Sequence, residues 1–378
     1  MKVVLISNMF SIHMLPLSQS LMKVCDTFDF IVTSENESIG FLQSADESFI
    51  TRYYKEDEQE IAKQKILEAD FVIFGACSNE LIKLRMDENK LSFLYSERFF
   101  KKGVWRRFIP RTAKAVRDRA ARFKNNNFFV LCASAYLSYD LSLMGFPASK
   151  CLKWGYFPSI DFVDTKVIED KKKNSILWAG RFLKWKHPEV AVKVARMLKN
   201  NNIDFEMNIV GEGAEQQKLE CLISKYGLQG KVNLLGKKSH DELLQLMREH
   251  KIYMFTSDFY EGWGAVLNEA MASGCAVVAS HAIGSVPFLL KDGENGRIYK
   301  SGDVKEAYGI VKELLASDEL CYKYGKNAVN TIKCEYSSDI AAERIYKFAE
   351  AFIDKGEIAS FESGPMSEAA VLKNNWKG

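Results

Sequence analysis

Short apolar runs alternate with longer segments whose apolar residues return every three or four positions, and this alternation restricts the chain to a small set of folds. Candidate strands are Lys2–Ser7, Phe28–Thr33, Phe71–Gly75, Leu91–Tyr95, Phe128–Cys132 and Lys150–Lys153, with helical spacing between them at Ile61–Ala69 and Ala133–Met144. A strand that is apolar throughout must be covered on both faces, so strand–helix alternation predicts parallel sheets sheathed in helices. The pattern breaks after Tyr156-Phe157-Pro158, where 159–174 is polar and reads as a linker, including Lys171-Lys172-Lys173. Alternation then restarts. The chain has 378 residues, more than one hydrophobic core usually serves, so two such domains are expected.

No apolar run is long enough to span a bilayer, and Met1–Ile6 reads as a first strand rather than a signal segment. The eight cysteines are scattered without a CxxC pair, which suits reduced, buried thiols in a cytoplasmic protein. A net charge of +3 argues against a general nucleic-acid binder, but the charge is uneven. From Arg98 to Lys124 there are eleven Lys or Arg and one acid, Asp118. Phe99, Phe100, Val104, Trp105 and Phe108 interleave with these cations. Ile109, Ala113, Val116, Ala120 and Phe123 form a helical apolar line. The segment reads as a core-packed helix with a solvated basic face, or as a contact for an anionic membrane surface.

The second half carries the chemistry. Gly180-Arg181-Phe182-Leu183-Lys184-Trp185-Lys186 follows a strand and precedes a helix beginning at Pro188. Arg181 supplies a planar fork and Lys186 a mobile charge for phosphate oxygens. Gly211-Glu212-Gly213 and Gly236 mark two more strand-to-helix turns, where backbone can approach a ligand or simply turn. In Glu261-Gly262-Trp263-Gly264-Ala265, an acid precedes a helical pattern that holds a second acid, Glu269. The helix start near Gly264 offers free N–H groups to a phosphate. The two carboxylates can accept bonds from sugar hydroxyls on either side of a diphosphate. No DxD triplet occurs, so no metal site is expected. His13, just past the first strand, and Glu97, after a later one, are candidate substrate contacts. An ion pair with Arg98 is the plainer explanation of Glu97.

Together Gly180-Arg181, Lys186, Gly211-Glu212-Gly213, Gly236, the Glu261–Glu269 spacing and Ala270–Ala279 resemble the retaining GT-B glycosyltransferases of family four (glycosyl transferases group 1). The resemblance implies an α/β chain with two Rossmann-like domains facing across a cleft. An acceptor domain over 1–158 and a donor domain over 159–336 would be followed by a helix over 337–353 that crosses back, and by a loosely held tail over 354–378. Arg181 and Lys186 would take the diphosphate, Glu261 the donor-sugar hydroxyls and Glu269 the ribose. Gly180, Gly236, Gly262, Trp263 and Gly264 would shape the donor site, and His13 and Glu97 the acceptor side.

The N-terminal half departs from the commonest pattern: Asn8-Met9-Phe10-Ser11-Ile12-His13 stands where many members have a glycine-rich loop. Asn8, His13, Pro16-Leu17, Tyr95–Arg98 and Trp154–Pro158 look like a subgroup of bacterial cell-surface polysaccharide enzymes. The implied activity is metal-independent transfer of a hexose-type sugar from a nucleoside-diphosphate donor to a glycan or lipid-linked glycan, without a cofactor. The setting would be cytoplasmic or peripheral at the inner membrane face. A nucleotide-sugar 2-epimerase and a non-catalytic membrane-associated scaffold of the same fold are the alternatives.

Overall fold

The computed structural model describes residues 1–11, 13–35 and 48–378; Ile12 of the Asn8–His13 motif lies outside the described residues. The chain forms two compact units, Met1–Ser159 with Glu335–Lys373, and Ile160–Cys334 with Asn374–Gly378.

In the first unit the order is β1 (Lys2–Ser7), α1 (Leu15–Val24), β2 (Thr27–Val32), β3 (Ile50–Arg52), α2 (Gln59–Glu68), β4 (Phe71–Phe74) and α3 (Asn79–Asp87). It continues with β5 (Ser92–Ser96), α4 (Pro110–Arg119), β6 (Phe128–Cys132), α5 (Leu137–Ser142) and β7 (Cys151–Lys153). All seven strands are parallel, in the order β3-β2-β1-β4-β5-β6-β7. The interior strand β1 pairs Val3 with both Phe28 and Phe71. Phe71, Val72, Ile73 and Phe74 are all fully buried, as a strand covered on both faces requires. Strand order reverses beside β1, which opens a crevice at the carboxyl ends of β1 and β4.

The second unit repeats the scheme. Its elements are α6 (Thr165–Glu169), β8 (Lys172–Ala179), α7 (Pro188–Asn200), β9 (Glu206–Val210), α8 (Gln216–Lys225), β10 (Val232–Leu234), α9 (His240–Glu249) and β11 (His250–Phe255). Then come α10 (Val266–Ala272), β12 (Ala276–Ser280), α11 (Val286–Leu289), β13 (Arg297–Tyr299), α12 (Val304–Leu315) and α13 (Asp318–Cys334). Six parallel strands run β10-β9-β8-β11-β12-β13. In α7, Val190, Ala191, Val194, Ala195 and Leu198 are buried in a helical stripe. Ser239 and Glu242 form a capping box at the start of α9, satisfying N–H groups that the helix itself leaves free.

Two expectations are corrected. The polar stretch 159–174 is not an unstructured linker, since it contains α6 and the start of β8. Its Lys171 is buried, donating to the carbonyls of Met247 at 2.6 Å, Arg248 at 3.0 Å and His250 at 3.1 Å. A cation at the carboxyl end of α9 meets orphan carbonyls and the negative end of the helix dipole. Burial pushes the Lys171 ammonium pKa down.

Nor is 354–378 loosely held. Helix α14 (Ser338–Lys355) packs on α1 in the first unit, with Asp339 accepting from Ser20 at 2.7 Å. The ring of Phe348 meets Phe129 at 4.9 Å and Phe93 at 5.6 Å. Beyond it, Met366 and Ala369 donate to the carbonyls of Lys153 and Cys151, and Lys153 donates to Ser367. This antiparallel pairing covers the open edge of β7.

All eight cysteines are free thiols; Cys221 and Cys334 are exposed rather than buried. Among the described residues no helix is long and apolar enough to cross a membrane.

Candidate functional site

In the second unit, three strand ends are laced together by backbone. Gly180 donates to Val210 at 3.0 Å, Phe182 to Glu212 at 2.8 Å, and Gly211 to Gly236 at 2.9 Å. A Cβ on Gly211, where φ is +140°, would lie 1.9 Å from the Gly180 carbonyl oxygen. Only glycine permits this approach. The glycines after β8, β9 and β10 thus form one surface, with exposed Arg181 on it and Gly236 exposed at its margin.

The Lys184–Lys186 turn is fixed to the loop after β11. Thr256 accepts from the Trp178 indole at 2.7 Å and donates to the Lys186 carbonyl at 2.7 Å, while the Asp258 N–H donates to Trp185. His187, in the left-handed region at φ +49°, starts α7 with Pro188 behind it. Its Nε2 meets Asp258 at 3.1 Å and its Nδ1 meets Glu189 at 3.2 Å. Bonds to Asp258 and then Glu189 raise the His187 pKa to about 9 despite burial.

This scaffold delivers Lys186 to Glu261. The Lys186 ammonium is hydrogen-bonded to Glu261 Oε2, and Ser257 donates to the same oxygen at 2.8 Å. Both charged side chains are largely withdrawn from water, at 14% and 9% exposure. Lys186 Nζ also lies over the Trp185 ring, 4.6 Å from its centroid. Charges held this far from solvent interact strongly with a ligand's charge. Arg181, by contrast, has no ion-pair partner among the described residues.

Glu261 precedes a tight turn at Gly264, where φ is +85° and a Cβ would come within 2.5 Å of Phe255. Helix α10 then begins at Val266 and carries Glu269. Trp263 is fully buried, its indole donating to Asn268 at 2.9 Å, so Gly262–Gly264 presents backbone rather than an aromatic face. Glu269 is buried and bonded through Oε1 to His240 at 3.2 Å. That contact raises the His240 pKa.

The first unit has its own cavity, of about 470 Å³, at the carboxyl ends of β1, β4 and β5. It holds His13 and Glu97 together, with Asn8, Tyr95 and Tyr156. The expected Glu97–Arg98 pair does not form. Arg98 turns inward to Asp140 at 2.9 Å, both fully buried, because a planar guanidinium can satisfy a buried carboxylate through two nitrogens. Glu97 instead accepts from Tyr156 at 2.8 Å and pairs with Lys101 at 2.5 Å.

His240 and the His187–Asp258 pair escape sequence reading, since each acts through a residue 29 or 71 positions away; Ser257 lies four positions from Glu261 and carries no pattern of its own. The nearest signal was the unusual His187-Pro188 step beside Lys186. Among the described residues no group of His, Cys, Asp or Glu is arranged to hold a metal ion.

Comparison with known proteins points the same way. Residues 159–331 match the family of glycosyl transferases group 1. A Campylobacter jejuni N-acetylgalactosamine-N,N'-diacetylbacillosaminyl-diphospho-undecaprenol 4-alpha-N-acetylgalactosaminyltransferase is 28% identical over 49% of this chain and 50% of its own length. The amylovoran biosynthesis glycosyltransferase AmsK of Erwinia amylovora is 26% identical over 73% of this chain and 67% of its own. The chain spans about half the length of most of the curated relatives it matches. Anabaena HepE in complex with UDP superposes with a TM-score of 0.70 at 15% identity, covering 93% of this chain and all of that one. At that identity the likeness establishes the shared GT-B fold.

Proposed function

From a chain whose residues 159–331 match the glycosyl transferases group 1 family, we infer a glycosyltransferase that moves a sugar from a nucleoside-diphosphate donor to a glycan or lipid-linked glycan, with retention at the anomeric carbon. The observation that carries this reading is the Lys186–Glu261–Ser257 cluster, joined by an exposed Arg181 that has no ion-pair partner among the described residues. Leaving-group departure builds charge on the β-phosphate, which Lys186, withdrawn from water, and the exposed Arg181 stabilise. Glu261, steadied by Ser257, accepts from donor-sugar hydroxyls. Glu269, held by His240 through one oxygen, keeps its other oxygen for the ribose. Gly180, Gly236 and Gly262–Gly264 offer backbone to the nucleotide, and the leaving phosphate takes the acceptor's proton.

The cavity holding His13 and Glu97 supports an acceptor site in the first unit. The names of the relatives, one acting on an undecaprenol diphosphate-linked sugar and one in amylovoran biosynthesis, support a place in cell-surface polysaccharide assembly. This protein would then work in the cytoplasm, against the inner membrane face. Its contact is the 3-10 turn Val104–Phe108, where Trp105 is 58% and Phe108 73% exposed among cations. Arg107 sits 4.4 Å over the Phe108 ring.

The test is a thermal-shift screen of the full chain against nucleotide sugars, followed by turnover with the donor that binds. The expected result is a selective rise in melting temperature that Arg181→Ala reduces and transfer that Glu261→Gln abolishes. No shift with any nucleotide sugar, or near-normal transfer by Glu261→Gln, would refute the assignment.

A further inference from the structure

The apolar line through α4 is packed at Val116, Ala120 and Phe123, but a second face of the helix is left open. Of its ten residues only Val116 is buried, although short helices depend on packing for their stability. Thr112, Ala115, Val116 and Arg119, at the spacing of one helical face, line an open groove of about 610 Å³ together with Phe99 and Cys77. Ala115 is exposed in that groove. The lining is mostly carbon.

The groove adjoins the polar cavity of His13 and Glu97, since Asn8, Ala76 and Arg119 line both. Arg119 is fixed between them: its guanidinium donates to the carbonyls of Gly75 and Cys77 and to Asn79. A polar chamber able to bond sugar hydroxyls therefore lies beside an apolar groove along a helix. The chain around that helix is strongly cationic from Lys101 to Arg122, with Asp118 its one acid. The 3-10 turn bearing exposed Trp105 and Phe108 packs on the same helix.

We propose that the groove along α4 receives the apolar chain of a lipid diphosphate-linked acceptor whose sugar end lies in the His13–Glu97 cavity. The proposal rests on the glycosyltransferase reading and narrows its acceptor from a glycan in general to a lipid-linked one. The chain buries against Ala115, Val116 and Phe99, displacing water from carbon. The diphosphate meets the surrounding cations, and the open face of α4 at Ala115 is covered. A free glycan would leave the groove empty.

Farnesyl diphosphate is the probe, titrated calorimetrically into the full-length protein beside inorganic diphosphate and phosphatidylglycerol vesicles. The expected result is that farnesyl diphosphate binds at least about tenfold tighter than inorganic diphosphate, equivalent to about 1.4 kcal/mol. Ala115→Phe, which fills the groove from an exposed position, should remove about the same factor without changing the melting temperature. Ala115→Asp should do likewise, while vesicle binding stays at wild-type level in both variants. Equal binding of the two diphosphates, or farnesyl diphosphate binding untouched by both substitutions, overturns the proposal. Parallel loss of vesicle binding also overturns it, in favour of a bulk-lipid contact. The donor-induced thermal shift separates the two readings: if it persists while the probe fails to bind, only the lipid acceptor is wrong.

Discussion

His187 and Asp258, 71 positions apart in sequence, meet at 3.1 Å and join the Lys184–Lys186 turn to the loop carrying Glu261. With Glu189 on the other nitrogen at 3.2 Å, the imidazole bridges two carboxylates. The link between the proposed phosphate-binding lysine and the proposed sugar-binding glutamate is therefore protonation-dependent.

A pH dependence follows. The His187 pKa is raised from 6.5 to about 9 in the folded protein. A raised pKa means that the proton is held more tightly in the folded state, so the stabilisation is complete below about 6.5 and fades as pH climbs through about 9. Chemical denaturation between pH 6 and pH 10 should show stability declining over the upper part of that range. His187→Gln should flatten the decline, and an equally steep fall in that variant would discount the bridge.

Ser257 holds Glu261 from behind. A hydrogen bond to a charged group is worth about 1.5–3 kcal/mol, so Ser257→Ala should lower kcat/KM for the donor by roughly tenfold to a hundredfold. Steady-state kinetics provide the check. Unaltered kinetics in Ser257→Ala would mean that Glu261 needs no such support.

Two glycines should respond differently to alanine. Gly211 has no room, with a Cβ 1.9 Å from the Gly180 oxygen, whereas Gly236 has open space but φ of +67°. Gly236→Ala should cost about 1–2 kcal/mol from the left-handed backbone alone. Gly211→Ala must also displace a strand end and should cost over about 3 kcal/mol. Urea unfolding of both variants measures the order, and similar costs would contradict the packing described for the laced strand ends.

Membrane contact should depend on aromatics as well as charge. Trp105→Ala with Phe108→Ala should weaken sedimentation with phosphatidylglycerol vesicles at a salt concentration that screens the cations. If the double variant sediments like wild type, the contact is electrostatic alone. Neutral phosphatidylcholine vesicles should bind neither protein.

Local pattern carried much of the architecture. Alternation of apolar runs with helical spacing is written residue by residue, so both parallel sheets were legible, and so was the acid pair Glu261 and Glu269 flanking the start of α10. The short strands β3 and β13 were not: each has three residues, one of them an arginine, and no apolar run marks either. The burial of Lys171 was hidden by its place in a lysine run.

What the sequence by itself determined is therefore the fold class, the turn glycines and the residue types available for phosphate and sugar. Only the tertiary structure decided who partners whom: Arg98 with Asp140 instead of Glu97, His240 with Glu269, and residues 366–369 with the edge of β7. Backbone propensity and apolar period act over a few residues and survive in a one-dimensional reading. Charge pairing depends on distances set after the sheets assemble, and a guanidinium or carboxylate takes whichever partner the finished packing leaves within reach.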